Sequence, residues 1–188
     1  DAILHLRTNE SDIGTWIPAA RTIFFLPAAI ALAMVAYGSF EARNIRTESL
    51  EIRSAKMPKD VGRLRIVQIS DLHVGVLVQG KRLAGILRKV REAKADLIVS
   101  TGDLVDGQLD SMTEAAAQFR TILPRYGKFA VTGNHEFYAG IDEALDFTKL
   151  AGFTVLRGDV ATVAGAIDLV GVDDPAMYGP MLRGHFSD

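Results

Sequence analysis

Three short polar clusters in this sequence combine residue types that bind metal ions. The first holds Asp71 and His73, the second holds Asp103, and the third holds Asn134 and His135. Carboxylate and imidazole ligands together suit a divalent ion such as Mn, Fe or Zn. Asp71 and His73 are two positions apart, so an extended backbone would point both side chains the same way. Two such ions about 3.5–4 Å apart can hold a phosphate group and activate a water molecule.

The chemistry of the remaining side chains suggests how the site would work. Asp103 can bridge two ions, and Asn134 offers a neutral oxygen ligand that adds no charge. His135 can protonate a leaving oxygen or stabilise the charge that develops on a phosphate group. Gly102 and Gly133 are expected to let the backbone turn sharply and approach the ions.

Each cluster follows a segment that has the pattern of a buried strand. These segments are residues 64–70, 96–102 and 128–133, and helical patterns separate them. Strands and helices that alternate in this way indicate a parallel sheet joined by crossovers. Ligands bind beyond the carboxyl ends of the strands in such sheets, where the clusters lie. We also predict a short strand at 45–54, helices at 79–93, 111–121 and 141–151, and two or three further strands beyond Gly152.

The ordered motifs resemble those of the calcineurin-like metallophosphoesterase superfamily, and their surroundings are similar to its bacterial membrane-anchored branch. The motifs are Asp71-x-His73, Gly102-Asp103-x-x-Asp106 and Gly133-Asn134-His135-Glu136. The resemblance covers about residues 45–175. It implies a four-layer α/β/β/α sandwich that binds two divalent metal ions, with Mn, Fe, Zn or a similar metal in each site.

The resemblance assigns a role to each matching position of the three clusters. Asp71 and His73 match ligands of the first metal, and Asp103 matches the ligand that bridges both metals. Asn134 matches a ligand of the second metal, and His135 matches the catalytic histidine.

The acidic residues around these clusters are interpreted as structural. Asp106 matches a family position that bonds within its own loop. Glu136 is interpreted as an acid at the start of a helix, where the helix dipole favours negative charge. Asp173 and Asp174 precede Pro175, which is a turn signal, and they are left out of the site.

Histidine ligands from the second half of the family's motif set have no match in this sequence. The family supplies a lone histidine and then a Gly-His-x-His motif, whereas Gly184-His185 is followed by Phe186. We therefore expect a chain truncated at its C-terminus that contains half of the sandwich. Such a chain would bind metals weakly, leave sheet edges unpaired and be inactive by itself.

An uncharged apolar run at residues 23–40 predicts a transmembrane helix at 22–40, since a bilayer core of roughly 30 Å needs about 20 apolar residues. A buried soluble helix, a secretory signal and the last of several spans are the alternatives. Lys and Arg residues are more frequent after the run than before it, which favours the cytoplasmic side for the following domain. The predicted organisation is an N-terminal loop at 1–21, the span, a basic linker at 41–63, and an incomplete metallophosphoesterase domain at 64–188.

Composition narrows the function further. The absence of cysteine excludes a disulfide scaffold, a cysteine zinc finger and a thiol enzyme. Residues 64–188 contain 13 basic and 16 acidic residues, a net charge of −3, so we expect no nucleic-acid partner and rank a nuclease low. The favoured function is a membrane-anchored, metal-dependent phosphoesterase acting on a phosphomonoester, phosphodiester or pyrophosphate bond, for example in a lipid-linked substrate. A catalytically inert scaffold with the same fold is the main alternative.

Overall fold

The computed structural model describes residues 13–75, 78–107 and 112–175. The chain divides into two compact units, Asp1–Glu48 and Ser49–Asp188. The first unit contains helix α1, and the second contains all the strands and the remaining helices. In chain order, the elements are α1 (Ile13–Glu41), β1 (Ile66–Ile69), α2 (Gly80–Glu92), β2 (Leu97–Ser100), α3 (Met112–Arg120), β3 (Lys128–Ala130), α4 (Asn134–Ala139), α5 (Ile141–Leu150), β4 (Thr154–Val155), β5 (Asp159–Val163) and β6 (Ile167–Gly171).

Four strands form a parallel sheet in the order β1-β2-β3-β4. Helix α2 connects β1 to β2, α3 connects β2 to β3, and α4 and α5 connect β3 to β4. The predicted α/β class with a parallel sheet is confirmed. Strands β5 and β6 form a separate antiparallel hairpin in the region beyond Gly152, where two or three further strands were predicted.

Apolar side chains at helical spacing attach α2, α3 and α5 to the sheet. In α2 the buried residues are Leu83, Leu87 and Val90, whose spacing places them on one helix face. Phe119 of α3 lies edge-to-face against Phe147 of α5, with 6.2 Å between ring centroids. These side chains belong to one hydrophobic core together with residues of β2 and β3.

Two expected strands differ in the structure. Residues 44–54 carry no regular secondary structure, and Leu50 and Ile52 are exposed, because no neighbouring strand in the described chain pairs with them. Strand β1 forms as predicted but is not buried on both faces. Val67 and Ile69 pack against the core, whereas Ile66 is 45% exposed on the opposite face of this edge strand.

Helix α1 contains a stretch, Arg21–Glu41, that is long and apolar enough to cross a membrane by length and composition. Its mean hydropathy is 2.0, and none of it is buried in the structure, unlike the core helix of a soluble protein. The helix begins at Ile13, so residues 13–21 are helical and do not form the loop that we predicted. Extending a helix that has already nucleated is favourable, which accounts for the earlier start.

Lys128, at the start of β3, is a buried cation that joins two helix ends. Its Nζ donates hydrogen bonds to the carbonyl oxygens of Phe119 (2.7 Å) and Ala151 (2.6 Å). These carbonyls lie at the C-termini of α3 and α5, where the helix dipole favours a positive charge. Burial, with a smaller contribution from Arg120, lowers the pKa of Lys128 to about 8.

Replacing Lys128 with Met is expected to lower the free energy of unfolding by about 1–3 kcal/mol, because the buried carbonyls lose their donor. Wild-type stability should also rise relative to the variant from about pH 8 to pH 10.5. The unfolded side chain, with a pKa of 10.5, binds more protons in that range than the folded one, and the neutral amine still donates both hydrogen bonds. Urea unfolding across this pH range measures both effects. Lys149→Met, at an exposed position of α5, is the control, and equal losses in the two variants would refute the assignment.

Candidate metal centre

The loops that follow β1 and β2 continue the pairing of these strands beyond the sheet. Each loop therefore holds its neighbour at a fixed separation. The backbone hydrogen bonds that join them run from the N–H of Asp71 to the oxygen of Gly102 (3.2 Å), from His73 to Asp103 (3.0 Å), from Val74 to Leu104 (2.9 Å) and from Asp106 back to Val74 (3.0 Å).

The backbone at three of the four predicted ligands is left-handed. Asp71, His73 and Asp103 have φ angles of 52°, 50° and 51°. The expectation that an extended backbone points Asp71 and His73 the same way is therefore wrong. Left-handed non-glycine residues are uncommon and strained, and they persist where the surrounding structure fixes them. Here the hydrogen bonds between the two loops supply that constraint.

Glu136 is the buried acceptor that fixes the second and third loops together. Its side chain lies in the first turn of α4, and the residue is only 2% exposed. One carboxylate oxygen accepts the N–H groups of Leu104 (2.7 Å) and Val105 (3.3 Å), and the other accepts those of Asp103 (3.0 Å) and Gly133 (2.7 Å). Glu136 thus lies in the first turn of a helix, as interpreted, and its side chain also accepts four backbone N–H donors.

Gly102 and Gly133 allow these two loops to touch. A Cβ atom on Gly102 would lie 2.8 Å from the Cα of Gly133, and one on Gly133 would lie 2.2 Å from Oδ1 of Asp103. Gly102 also adopts a φ of +105°, which side chains rarely allow. The expected sharp turn is present at Gly102, while at Gly133 the requirement is close approach to the neighbouring loop.

Three of the predicted site residues converge on one point. The ligand atoms of His73, Asp103 and His135 all lie within 4.8 Å of one another. Nε2 of His73 is 4.0 Å from Oδ2 of Asp103, and the two imidazole rings are 4.4 Å apart at 83°. Two ligand atoms on one ion, each about 2.1 Å away, lie no more than about 4.2 Å apart, so the 4.0 Å between His73 and Asp103 is compatible with a shared ion. This donor set suits a divalent transition metal.

Two aspartate side chains contact His135 and orient it. Oδ1 of Asp103 accepts the backbone N–H of His135 at 2.9 Å, while its Oδ2 faces His73. Nδ1 of His135 lies 3.4 Å from Oδ1 of Asp106. Asp106 therefore reaches across to α4, whereas the resemblance implied contacts within its own loop. This arrangement leaves Nε2 of His135 as the ring nitrogen not directed at Asp106.

Asp71 and Asn134 are the two other predicted ligands. Asp71 is exposed, accepts a hydrogen bond from the Ser70 hydroxyl and lies outside the three-residue cluster of the described chain. Asn134 is the first residue of α4, directly before His135. Ligand roles for these two residues stay predictions. The second histidine motif that we sought around His185 lies outside the described residues.

The hydrogen-bond contacts of two acidic residues were not predicted from the sequence. Glu136 was given only a role at a helix start, and Asp173 was treated as part of a turn. In the structure Asp173 accepts hydrogen bonds from Thr132 and Arg157. The position of an acid directly after the Asn-His pair was a signal for Glu136, whereas the sequence around Asp173 carried no comparable signal.

The calcineurin-like phosphoesterase family model matches residues 64–185, a range that contains all three clusters. The chain belongs to this family. An uncharacterized metallophosphoesterase of Aquifex aeolicus is 37% identical over 145 residues, which cover 77% of this chain and 55% of the relative. A Danio rerio protein named as a transmembrane protein with a metallophosphoesterase domain is 31% identical over 173 residues, covering 87% of this chain and 39% of the relative.

This chain therefore spans about half or less of the length of these curated relatives. Among solved structures, the nuclease MPE of Pseudomonas putida aligns with a TM-score of 0.34 and 12% identity, covering 56% of this chain and 68% of the nuclease. A likeness at that level carries no argument about function.

Substituting Glu136 with Gln is expected to destabilise the second unit, because one oxygen becomes an NH₂ group that cannot accept two of the four N–H donors. The expected loss is about 1–3 kcal/mol for each donor left unpaired. Glu143→Gln, at an exposed acid in the first turn of α5, is the matched control. Urea unfolding of both variants compares them, and similar stabilities would contradict the role given to Glu136.

Proposed function

We propose that this chain carries the metal-binding part of a membrane-anchored phosphoesterase that hydrolyses a phosphomonoester, phosphodiester or pyrophosphate bond. The observation that carries the proposal is the convergence of His73, Asp103 and His135 within 4.8 Å at the carboxyl ends of adjacent parallel strands. Membership of the calcineurin-like phosphoesterase family supports the phosphate-ester class of substrate.

The proposed ligands of two divalent ions are Asp71, His73, Asp103 and Asn134. The metals would be Mn, Fe, Zn or similar ions, which suit carboxylate and imidazole ligands. The chemistry that such ions supply when bound is charge stabilisation at the phosphoryl group and activation of water. Asp103 is suited to the central position, because its two carboxylate oxygens face different partners.

His135 is proposed to handle the proton of the leaving group. Its ring is about one third exposed, so a substrate can reach it. Asp106 lies against Nδ1 and is placed to hold the proton on that nitrogen. When both ring nitrogens are protonated, Nε2 is the atom that would face the leaving oxygen of the ester and give its proton to that oxygen, while Nδ1 keeps the proton held by Asp106. The contact with Asp106 also restricts rotation of the ring.

Membrane attachment is proposed to occur through helix α1. The Arg21–Glu41 stretch has the required length and hydropathy, and the similar Danio rerio protein is named as transmembrane. Basic residues at 43–65 outnumber those before the stretch, which favours the cytoplasmic face for the second unit. A substrate that is itself at the membrane, such as a lipid-linked phosphate ester, fits this arrangement.

Hydrolysis of bis-p-nitrophenyl phosphate by the full-length natural protein in detergent with Mn²⁺ tests the proposal. Asp103→Asn should reduce the activity to background, because the residue loses the charge of its metal-facing oxygen. His135→Ala should lower kcat by about 10²–10⁴, the usual contribution of a general acid. Asp146→Asn, at an exposed position of α5, should leave the rate unchanged. Wild-type activity no higher than that of Asp103→Asn would favour the inert scaffold instead.

A further inference from the structure

The carboxylate of Asp173 connects three segments that each follow a strand of the second unit. Asp173 comes after β6, and its side chain is only 11% exposed. It accepts the hydroxyl hydrogen bond of Thr132, which follows β3, at 2.7 Å. It also accepts from Nε of Arg157, which follows β4, at 2.8 and 2.9 Å. Both carboxylate oxygens therefore have protein partners.

Thr132 is directly connected to the metal centre. It is 4% exposed and precedes Gly133, whose N–H is bonded to Glu136. A Cβ atom on Gly133 would overlap Asp103, so the backbone after Thr132 has no room to shift toward that residue. The hydroxyl of Thr132 thus holds the start of a segment whose position is already restricted on its other side.

Asp173 is itself held in place. The N–H of Gly158 donates to the oxygen of Gly171 at 2.9 Å, which joins the end of β6 to the segment after β4. A Cβ atom on Gly171 would lie 2.2 Å from the Cβ of Leu156, so these segments are in close contact. The Arg157 guanidinium lowers the pKa of Asp173 through its hydrogen bond, which keeps the carboxylate ionised. Asp173 is therefore a fixed acceptor for Thr132.

We propose that Asp173 is a positioning residue that holds, through Thr132, the segment Gly133–Asn134–His135 in the geometry of the metal centre. The proposal rests on the proposed function in so far as this segment carries a metal ligand and the catalytic histidine. It does not place Asp173 in contact with the substrate.

The β5–β6 hairpin offers a matched control for this hydrogen bond. Thr162 donates its hydroxyl to Asp168 at 2.6 Å, which is the same chemistry between neighbouring strands of the hairpin. Thr132→Val and Thr162→Val each remove one such hydroxyl with little change in volume. Thr132→Ser keeps the hydroxyl and serves as the rescue variant.

Amide hydrogen exchange of the full chain in detergent, measured by NMR, tests the proposal without any metal. In Thr132→Val the amides of Gly133 and His135 should exchange about three- to tenfold faster, the effect of losing one hydrogen bond. The amide of Ile98 in β2 should be unchanged, because it reports on global unfolding. Thr132→Ser should restore slow exchange, and Thr162→Val should leave both site amides as in the wild type.

Mn²⁺ titration and kinetics separate this proposal from the proposed function. In Thr132→Val we expect the Kd for Mn²⁺ to rise by a similar factor and kcat to fall at an unchanged KM. If the two amides respond but the wild type neither binds Mn²⁺ nor hydrolyses phosphate esters, the positioning role stands and the proposed function fails. If the amides do not respond, or if Ile98 accelerates equally, the positioning role is overturned whatever the activity.

Discussion

The candidate metal centre depends on one buried carboxylate that accepts four backbone N–H groups. Three of these groups, on Asp103, Leu104 and Val105, belong to the loop after β2, and the fourth is the N–H of Gly133. Without the Glu136 carboxylate these donors would be buried and unpaired, at about 1–3 kcal/mol each. Because Asp103 lies in the loop after β2 and His135 follows Gly133 in the first turn of α4, the same interaction that satisfies the backbone also limits the distance between two site residues.

Three residues in the loops after β1 and β2 have strained backbone conformations. Asp71, His73 and Asp103 are held at left-handed φ angles, and such residues persist only where their surroundings fix them. The backbone hydrogen bonds between the first two loops and the contacts of Glu136 provide that constraint. Gly102 and Gly133 let the second and third loops meet, since a Cβ on either would overlap the other loop. The second and third loops are thus in direct contact, and a side chain at either glycine would force them apart.

Apolar periodicity predicted the parallel sheet, its crossovers and the placement of the three clusters at strand ends. Apolar periodicity did not predict the features that depend on contacts between segments distant in the sequence. The 45–54 segment has an alternating pattern but no strand to pair with in the described chain. The left-handed turns at Asp71 and His73 arise from hydrogen bonds to a loop about 30 residues away, and no local pattern encodes them. For the same reason, the partners of Asp106 and Glu136 became apparent only from the three-dimensional arrangement.

The acidic residues around the site differ in how many of their carboxylate oxygens accept hydrogen bonds from the protein. This difference distinguishes structural acids from candidate metal ligands. Both oxygens of Glu136 and both oxygens of Asp173 accept hydrogen bonds from protein donors, so these two acids act as acceptors for the surrounding structure. Asp103 is divided, with one oxygen accepting the N–H of His135 and the other facing His73. An acid with one oxygen bonded to the protein is held in position and still has the other oxygen available. A metal ligand needs both of these properties. Asp103 is therefore the acid through which the buried hydrogen-bond network most directly determines the geometry available to a bound ion.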